Sequence, residues 1–227
     1  MPIVNVKDVK RSYQQGEHSV QALGGVDLSI EEGEFTVLMG SSGSGKTTLL
    51  NIIGGLDTAD SGSVEVAGHH FDQLSGGALS DIRLKQLGFV FQAYNLIPVL
   101  TAYENAEFVL LLQGMDAKQR KEKVMATLKA VGPEGMENRK PSELSGGQQQ
   151  RVAVARAIAG HPALVLADEP TANLDSKTGN ALIALMKELN EQQNITFLFA
   201  THDPKVMAAA KRVVTMEDGA IVSDESR

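Results

Sequence analysis

The chain contains no cysteine and no tryptophan. Without cysteine, disulfides, thiolate metal sites and cysteine nucleophiles are excluded, and a reducing compartment is the natural setting. Aromatic residues are scarce, yet apolar content is ordinary. At 227 residues the chain can bury one α/β core with an inserted subdomain, so neither disorder nor a fibrous protein is expected. A basic excess is also missing. The formal net charge is −7, whereas a general nucleic-acid binder draws its affinity from a basic face. No nucleic-acid partner is therefore expected. Long apolar runs are lacking too. "FVLLL" and "ALVLA" fall far short of the ~20 residues that span a bilayer. The opening "MPIVNVKDVKRSYQQG" has no apolar core of signal-peptide length. The expectation is a soluble, cytoplasmic protein.

Strand-like stretches are present in "EFTVLM", "LGFVFQ", "ALVLAD" and "ITFLFATH", with helical stretches between them. "ALVLA" is apolar at every position, as in a parallel strand covered on both faces. This alternation predicts an α/β fold with a parallel-sheet core. The first seventy residues differ. "IVNVKDVKRSY", "VQALGGVDLSI" and "GSVEVAGHHF" alternate and are separated by glycine-containing turns, which predicts an antiparallel β lobe. Residues 101–160 lack a clear strand and read as a helical insertion. We expect a single domain over 1–227, with 1–92 and 161–227 forming the β lobe and nucleotide-binding core and 93–160 a helical subdomain.

"GSSGSGKT", Gly40 to Thr47, matches the phosphate-binding loop pattern and sits between a strand and a helix, the context the motif requires. Gly43 and Gly45 let the backbone turn its N–H groups toward phosphate oxygens, with a helix N-terminus behind them. Gly40, Ser41, Ser42, Ser44 and Thr48 complete the cradle. Lys46 is expected to reach the β- and γ-phosphates, and the Thr47 hydroxyl to ligate Mg²⁺. "LVLADEP" places Asp168 and Glu169 at the end of an apolar strand, where ligands of open parallel sheets collect. Asp168 suits Mg²⁺ and Glu169 suits the base that activates water. An acid pair after a strand is more often a solvated loop. Beside a phosphate loop the catalytic reading prevails.

Leu-Ser-Gly-Gly occurs twice, at Leu74 and at Leu144. In "LSGGQQQR", Ser145 is a good N-cap, and Gly146 and Gly147, followed by Gln148, leave backbone N–H groups open to an anion. The copy at Leu74 lacks the glutamine, the basic residue and an acid-ended strand downstream. It reads as ordinary helix-start chemistry with Ser75 as cap. Nothing else in the flanking segments repeats.

Taken together, "GSSGSGKT", Gln92 in "GFVFQAYNL", "LSGGQ", and "LVLADEPTANLD" followed by "ATHD" resemble the ATP-binding cassette (ABC) ATPases, in that family's order and over essentially the whole chain. The resemblance implies a P-loop cassette with a RecA-like core, ATP and Mg²⁺ as ligands, and two copies facing head to tail. Ser145 and Gly147 of one copy would then grip the γ-phosphate on the other. It further implies that Tyr13 stacks on adenine, that Gln92 reaches Mg²⁺ and the attacking water, and that His202 contacts the γ-phosphate and orients the water. Asp175 would contact the partner copy. Asp203-Pro204 reads as the cap and first residue of another helix. His69, His70 and His161 are assigned no function.

Within the family the text most resembles the lipoprotein-release and macrolide-export group, although Ala172 stands where that group commonly has glycine. One uninterrupted cassette points to a separate membrane permease subunit. The chain would be the ATPase of a translocase exporting or extracting a lipophilic substrate, peripheral on the cytoplasmic face of the membrane. The segment "AYNLIPVLTAYENAEF", with Leu96, Ile97, Val99 and Leu100, is the expected docking surface. The alternatives are a cassette that regulates a cell-division-type membrane complex, or a soluble non-transport ABC ATPase.

Overall fold

The computed structural model describes residues 2–16, 18–132 and 134–227. The chain opens with two long strands, β1 (Pro2–Gln15) and β2 (His18–Glu31), and then β3 (Phe35–Met39) leads into α1 (Lys46–Ile53). β4 (Ser61–Val66), a two-residue β5 (His69–His70) and α2 (Gly76–Gln86) precede β6 (Leu87–Phe91). Three helices follow, α3 (Ala102–Leu112), α4 (Ala117–Val131) and α5 (Gly146–Ile158). β7 (Leu164–Asp168), α6 (Ser176–Gln193), β8 (Thr196–Thr201), α7 (Pro204–Ala209), β9 (Arg212–Glu217) and β10 (Ala220–Ser226) complete the chain.

The strands form two sheets, as the patterning predicts. One is antiparallel, in the order β2-β1-β4-β5. The other runs β10-β9-β3-β8-β7-β6, parallel from β9 to β6, with β10 added antiparallel at the edge. Neither β9 nor β10 stood out in the sequence. "RVVTME" is short and only half apolar, and it becomes a strand by pairing with β3.

The parallel sheet is apolar on both faces because both are covered. Alternate residues of β8 serve opposite cores. Phe197 and Phe199 join Phe35, Val165, Leu110, Val154 and Leu182 beneath α3 to α6. Leu198 and Ala200 join Leu38, Leu166, Leu49, Leu50 and Ile53 beneath α1 and the antiparallel sheet. The Phe35 and Phe199 rings pack with centroids 4.6 Å apart.

This layering fixes where the strands end. β3, β8, β7 and β6 are consecutive neighbours, so their carboxyl ends lie in one row about 14 Å long at the usual strand spacing. The phosphate loop leaves β3, His202 follows β8, Asp168 ends β7 with Glu169 next to it, and Gln92 follows β6. Helix α5 lies close against β6 at Gly88, where an added Cβ would collide with the Ala157 carbonyl. Gly88→Ala should therefore destabilise the fold by about 1–3 kcal/mol through overpacking. Gly76→Ala, whose Cβ would enter open space, should be neutral or gain up to about 1 kcal/mol. Urea unfolding of both variants, followed by circular dichroism, measures the difference.

Candidate nucleotide site

An open cleft of about 500 Å³ lies along the row of strand ends. It is lined by Tyr13 and Ala22 at one end, Ser42, Gly43 and Gly45 to Thr48 along its floor, and Gln92, Glu169, Ala172 and His202 at the other. The floor is made by local geometry. Gly45 is the N-cap of α1 and has φ +99°, a region closed to most side chains. Its Cβ would also lie 2.6 Å from the Ala22 carbonyl. Gly43 has φ +83° with nothing within 4 Å, so backbone conformation alone demands glycine there.

Lys46 is the first residue of α1 and is buried. Its Nζ donates to the Gly40 carbonyl at 2.8 Å, the Ser41 carbonyl at 2.7 Å and Ser44 Oγ at 3.4 Å. The ammonium therefore sits inside the curl of its own loop, satisfied by the backbone. Thr47 Oγ1 donates to Asp168 Oδ1 at 3.2 Å, which links the loop to the end of β7. Burial pushes the Asp168 carboxyl up, reinforced by the Glu169 charge; the Thr47 hydrogen bond and Lys46 act in the other direction.

Glu169 has φ +44°, a left-handed conformation that is costly outside glycine. Two groups hold its carboxylate. Thr201 Oγ1 donates to Oε2 at 2.8 Å, and His202 Nδ1 lies 2.6 Å from Oε1. Its backbone N–H still pairs with Ala200 at 2.9 Å, extending the β7–β8 ladder by one bond. The His202 ring is largely exposed, whereas Glu169 is mostly covered. Asp203 caps α7 and Pro204 is its first residue, as expected.

The structure gathers Tyr13, Ser42, Gly43, Gly45, Lys46, Thr47, Thr48, Gln92, Glu169 and His202 into one cleft. Gly40, Ser41 and Ser44 support Lys46, and Asp168 adjoins through Thr47. Ser145, Gly146, Gly147, Gln148 and Asp175 lie outside the lining. Ser145 and Gln148 form a reciprocal capping box at the start of α5. Asp175 caps α6, accepting from the Lys177 and Thr178 N–H groups and from the Thr178 hydroxyl, and these bonds hold its carboxyl below the ordinary range.

Both Leu-Ser-Gly-Gly copies cap a helix, each serine accepting from a backbone N–H at 3.4 Å. Their surroundings differ. Gly76 and Gly77 face open space, whereas a Cβ at Gly146 would lie 2.7 Å from the Tyr94 hydroxyl and one at Gly147 would collide with the Thr178 methyl. Close packing, as well as open N–H groups, thus calls for glycine at the second copy.

Other supporting residues escaped the sequence reading. Arg156 on α5 donates to the Tyr94 and Asn95 carbonyls, and both of those residues have positive φ. This pins the turn after Gln92. Gln150, fully buried, donates to the Phe91 and Pro170 carbonyls at 3.3 and 2.8 Å. It ties α5 to the connections that carry Gln92 and Glu169. Neither residue has a local signal, because both act on carbonyls far away in the chain.

The segment after Gln92 is less exposed than expected. Leu96 packs against Ala102, Leu144 and Val152. Ile97 and Leu100 are half-buried, whereas Val99, at 70%, is open. A separate apolar groove of about 320 Å³ lies beside it, lined by Leu56, Leu84, Phe89, Phe91 and Val109. Among the described residues, no helix is long and apolar enough to cross a membrane.

Comparison with known proteins is consistent with this geometry. The family model described as ABC transporter matches residues 23–172. The uncharacterized ABC transporter ATP-binding protein MJ0796 of Methanocaldococcus jannaschii is 44% identical over 227 aligned residues, covering 98% of this chain and 97% of that protein. The macrolide export ATP-binding/permease protein MacB of Mannheimia succiniciproducens is 41% identical over all of this chain, which spans 35% of that relative's length. A solved dimeric structure of the MJ0796 cassette in a post-hydrolysis state, bound to ADP and Pi, superposes with a TM-score of 0.91 at 44% identity, covering 98% of each chain. The chain is an ATP-binding domain of the ABC transporter family.

Proposed function

We propose that the chain hydrolyses ATP to ADP and phosphate in this cleft, as the ATPase of a membrane transport complex, and that it works as a pair of copies. The observation that carries the reading is the row of four adjacent strand ends. It brings a buried lysine, a phosphate-loop helix start, a glutamate, a glutamine and a histidine onto one cleft, with Asp168 joined to it through Thr47. Phosphoryl transfer asks for little covalent chemistry and much positioning. Lys46 and the loop N–H groups would hold the triphosphate, with its base toward Tyr13.

The donor set at Thr47, Asp168 and Gln92 consists of a hydroxyl, a carboxylate and an amide oxygen, which suits a hard cation such as Mg²⁺. Among the described residues no group of three or more His, Cys, Asp or Glu gathers to hold a metal. Burial has already raised the cost of charge on Asp168, so a cation there would relieve it. When bound, the ion would neutralise charge on the phosphates. Glu169, fixed by Thr201 and His202, would take the proton of the attacking water. The water oxygen would bond to the γ-phosphorus as its bond to the bridging oxygen breaks, releasing ADP.

Ser145, Gly146 and Gly147 stand apart from the cleft of their own chain, which supports a role toward the nucleotide of a second copy. The dimeric MJ0796 cassette structures support the pairing of two copies. The macrolide-export relatives, named as ATP-binding/permease proteins, support a permease partner. The apolar groove between Leu56 and Val109 is the surface on which we place it. This would bring the chain to the inner face of a membrane. The exported substrate would be met by the permease.

Glu169→Gln should keep ATP binding and lower turnover by ~10²–10⁴, the usual contribution of a positioned base. Steady-state phosphate release and equilibrium ATP binding separate the two. Wild-type turnover in this variant would remove Glu169 from the role. The two Leu-Ser-Gly-Gly copies should respond differently to the same change. Ser145→Arg should abolish ATP-dependent pairing, read as the loss of a doubled mass in size-exclusion chromatography with ATP and Mg²⁺ in the Glu169→Gln background. Ser75→Arg should cost a helix cap, about 0.5–2 kcal/mol, and leave pairing intact. Equal loss in both would show that the copies are not distinct in function.

A further inference from the structure

The aromatic ring at one end of the cleft is held from behind. Arg11 and Tyr13 are two residues apart on β1, so their side chains leave the same face of the strand. The Arg11 guanidinium lies over the Tyr13 ring, 4.8 Å from its centroid. The Tyr13 hydroxyl donates to Asp57 Oδ2 at 2.5 Å. Arg11 forks onto the same carboxylate, at 3.2 Å to Oδ2 and 2.7 Å to Oδ1, and reaches Asp60 at 2.7 Å. Asp60 also accepts from the Ser12 N–H at 2.7 Å, which ties the cluster back to β1.

The cluster has a front and a back. Tyr13 lines the cleft, whereas Arg11, Asp57 and Asp60 do not. Asp57 and Asp60 lie on the connection that leaves α1 for β4. The same helix starts at the phosphate loop. One rigid element therefore sets both the phosphate cradle at its N-terminus and the brace behind the ring beyond its C-terminus. Tyr13 is 39% exposed, and such a side chain would ordinarily sample several rotamers. Here its hydroxyl is anchored and its rear face is covered.

We propose that Arg11 and Asp57 are positioning residues that hold Tyr13 as a preformed platform for a nucleobase, an inference that rests on the nucleotide reading of the cleft. Preorganisation lets stacking count toward affinity without the cost of ordering the tyrosine on binding. A cation on the rear face draws electron density from the ring, which favours an extended, electron-rich base on the front. The platform selects purines over pyrimidines by stacking area and leaves the phosphate cradle untouched.

Calorimetric titration with ATP, CTP and inorganic tripolyphosphate, each with Mg²⁺, tests this. The wild-type chain should bind ATP more tightly than CTP, and CTP more tightly than tripolyphosphate. Tyr13→Leu should weaken ATP roughly tenfold or more and spare tripolyphosphate. Arg11→Met should weaken ATP about three- to tenfold, reduce the preference for ATP over CTP, and again spare tripolyphosphate. Arg11→Lys keeps the charge without the planar stack and should fall between Met and wild type. In a Tyr13→Leu background, Arg11→Met should have no further effect. The proposal is overturned if Arg11→Met weakens ATP and tripolyphosphate equally, if it leaves ATP unchanged, or if its effect persists without the tyrosine. Each would mean that Arg11 only braces the strand. Wild-type affinity for ATP no greater than for tripolyphosphate would overturn the platform and spare the phosphate-loop reading, whereas binding of none of the three would overturn both.

Discussion

A parallel sheet covered on both faces is the constraint on which the rest depends. Buried backbone groups must be paired, and in β3, β8, β7 and β6 they are paired only if the four strands lie side by side in register. Packing two cores against opposite faces leaves no freedom to reorder them. Once that holds, the loops that follow the strands must emerge along one edge. The site residues from Ser42 to His202 are brought within one cleft by this row, and Tyr13 joins them from β1 of the antiparallel sheet. The helices on either side serve the same end. α1 backs the phosphate loop, and α5 delivers Gln150 and Arg156 to the turns that carry Glu169 and Gln92.

Charge inside the cleft is arranged to be affordable before any phosphate arrives. A buried ammonium with no partner would cost on the order of several kcal/mol. Lys46 avoids this by donating to two carbonyls of its own loop. The acid pair is divided by environment. Asp168 is turned toward Thr47 and the loop, while Glu169 is turned toward Thr201 and His202. Its strained φ is the local cost of separating two adjacent carboxylates. Such strain persists only because the ladder bond to Ala200 and both side-chain bonds fix it together.

The two Leu-Ser-Gly-Gly segments separate local chemistry from tertiary context. The same letters give the same serine cap, at the same distance, on two helices. Their difference is what packs around them. At the second copy Tyr94, Leu174 and Thr178 press on the glycines, so the helix start is locked to the turn after Gln92 and to the start of α6. Asp175 belongs to that same locked corner, where it caps α6.

Sequence alone determined whatever depends on neighbours along the chain. The phosphate loop, the acid-ended strand, the serine caps and the Asp203-Pro204 helix start are each written in a few consecutive letters, because φ restrictions and i to i+3 hydrogen bonds act locally. The fold class followed from apolar runs of strand length alternating with helical ones. Tertiary structure decided what no short window holds. β9 is a strand because β3 offers it an edge, and Leu96 is partly buried because Ala102 and Val152 close over it. Arg11 and Asp57 stand 46 residues apart, and Gln150 reaches carbonyls 59 and 20 residues away. Contacts of that range are fixed only when the sheet order has brought the strands together, so the residues that make the site rigid stayed hidden while most of those that line the cleft were legible.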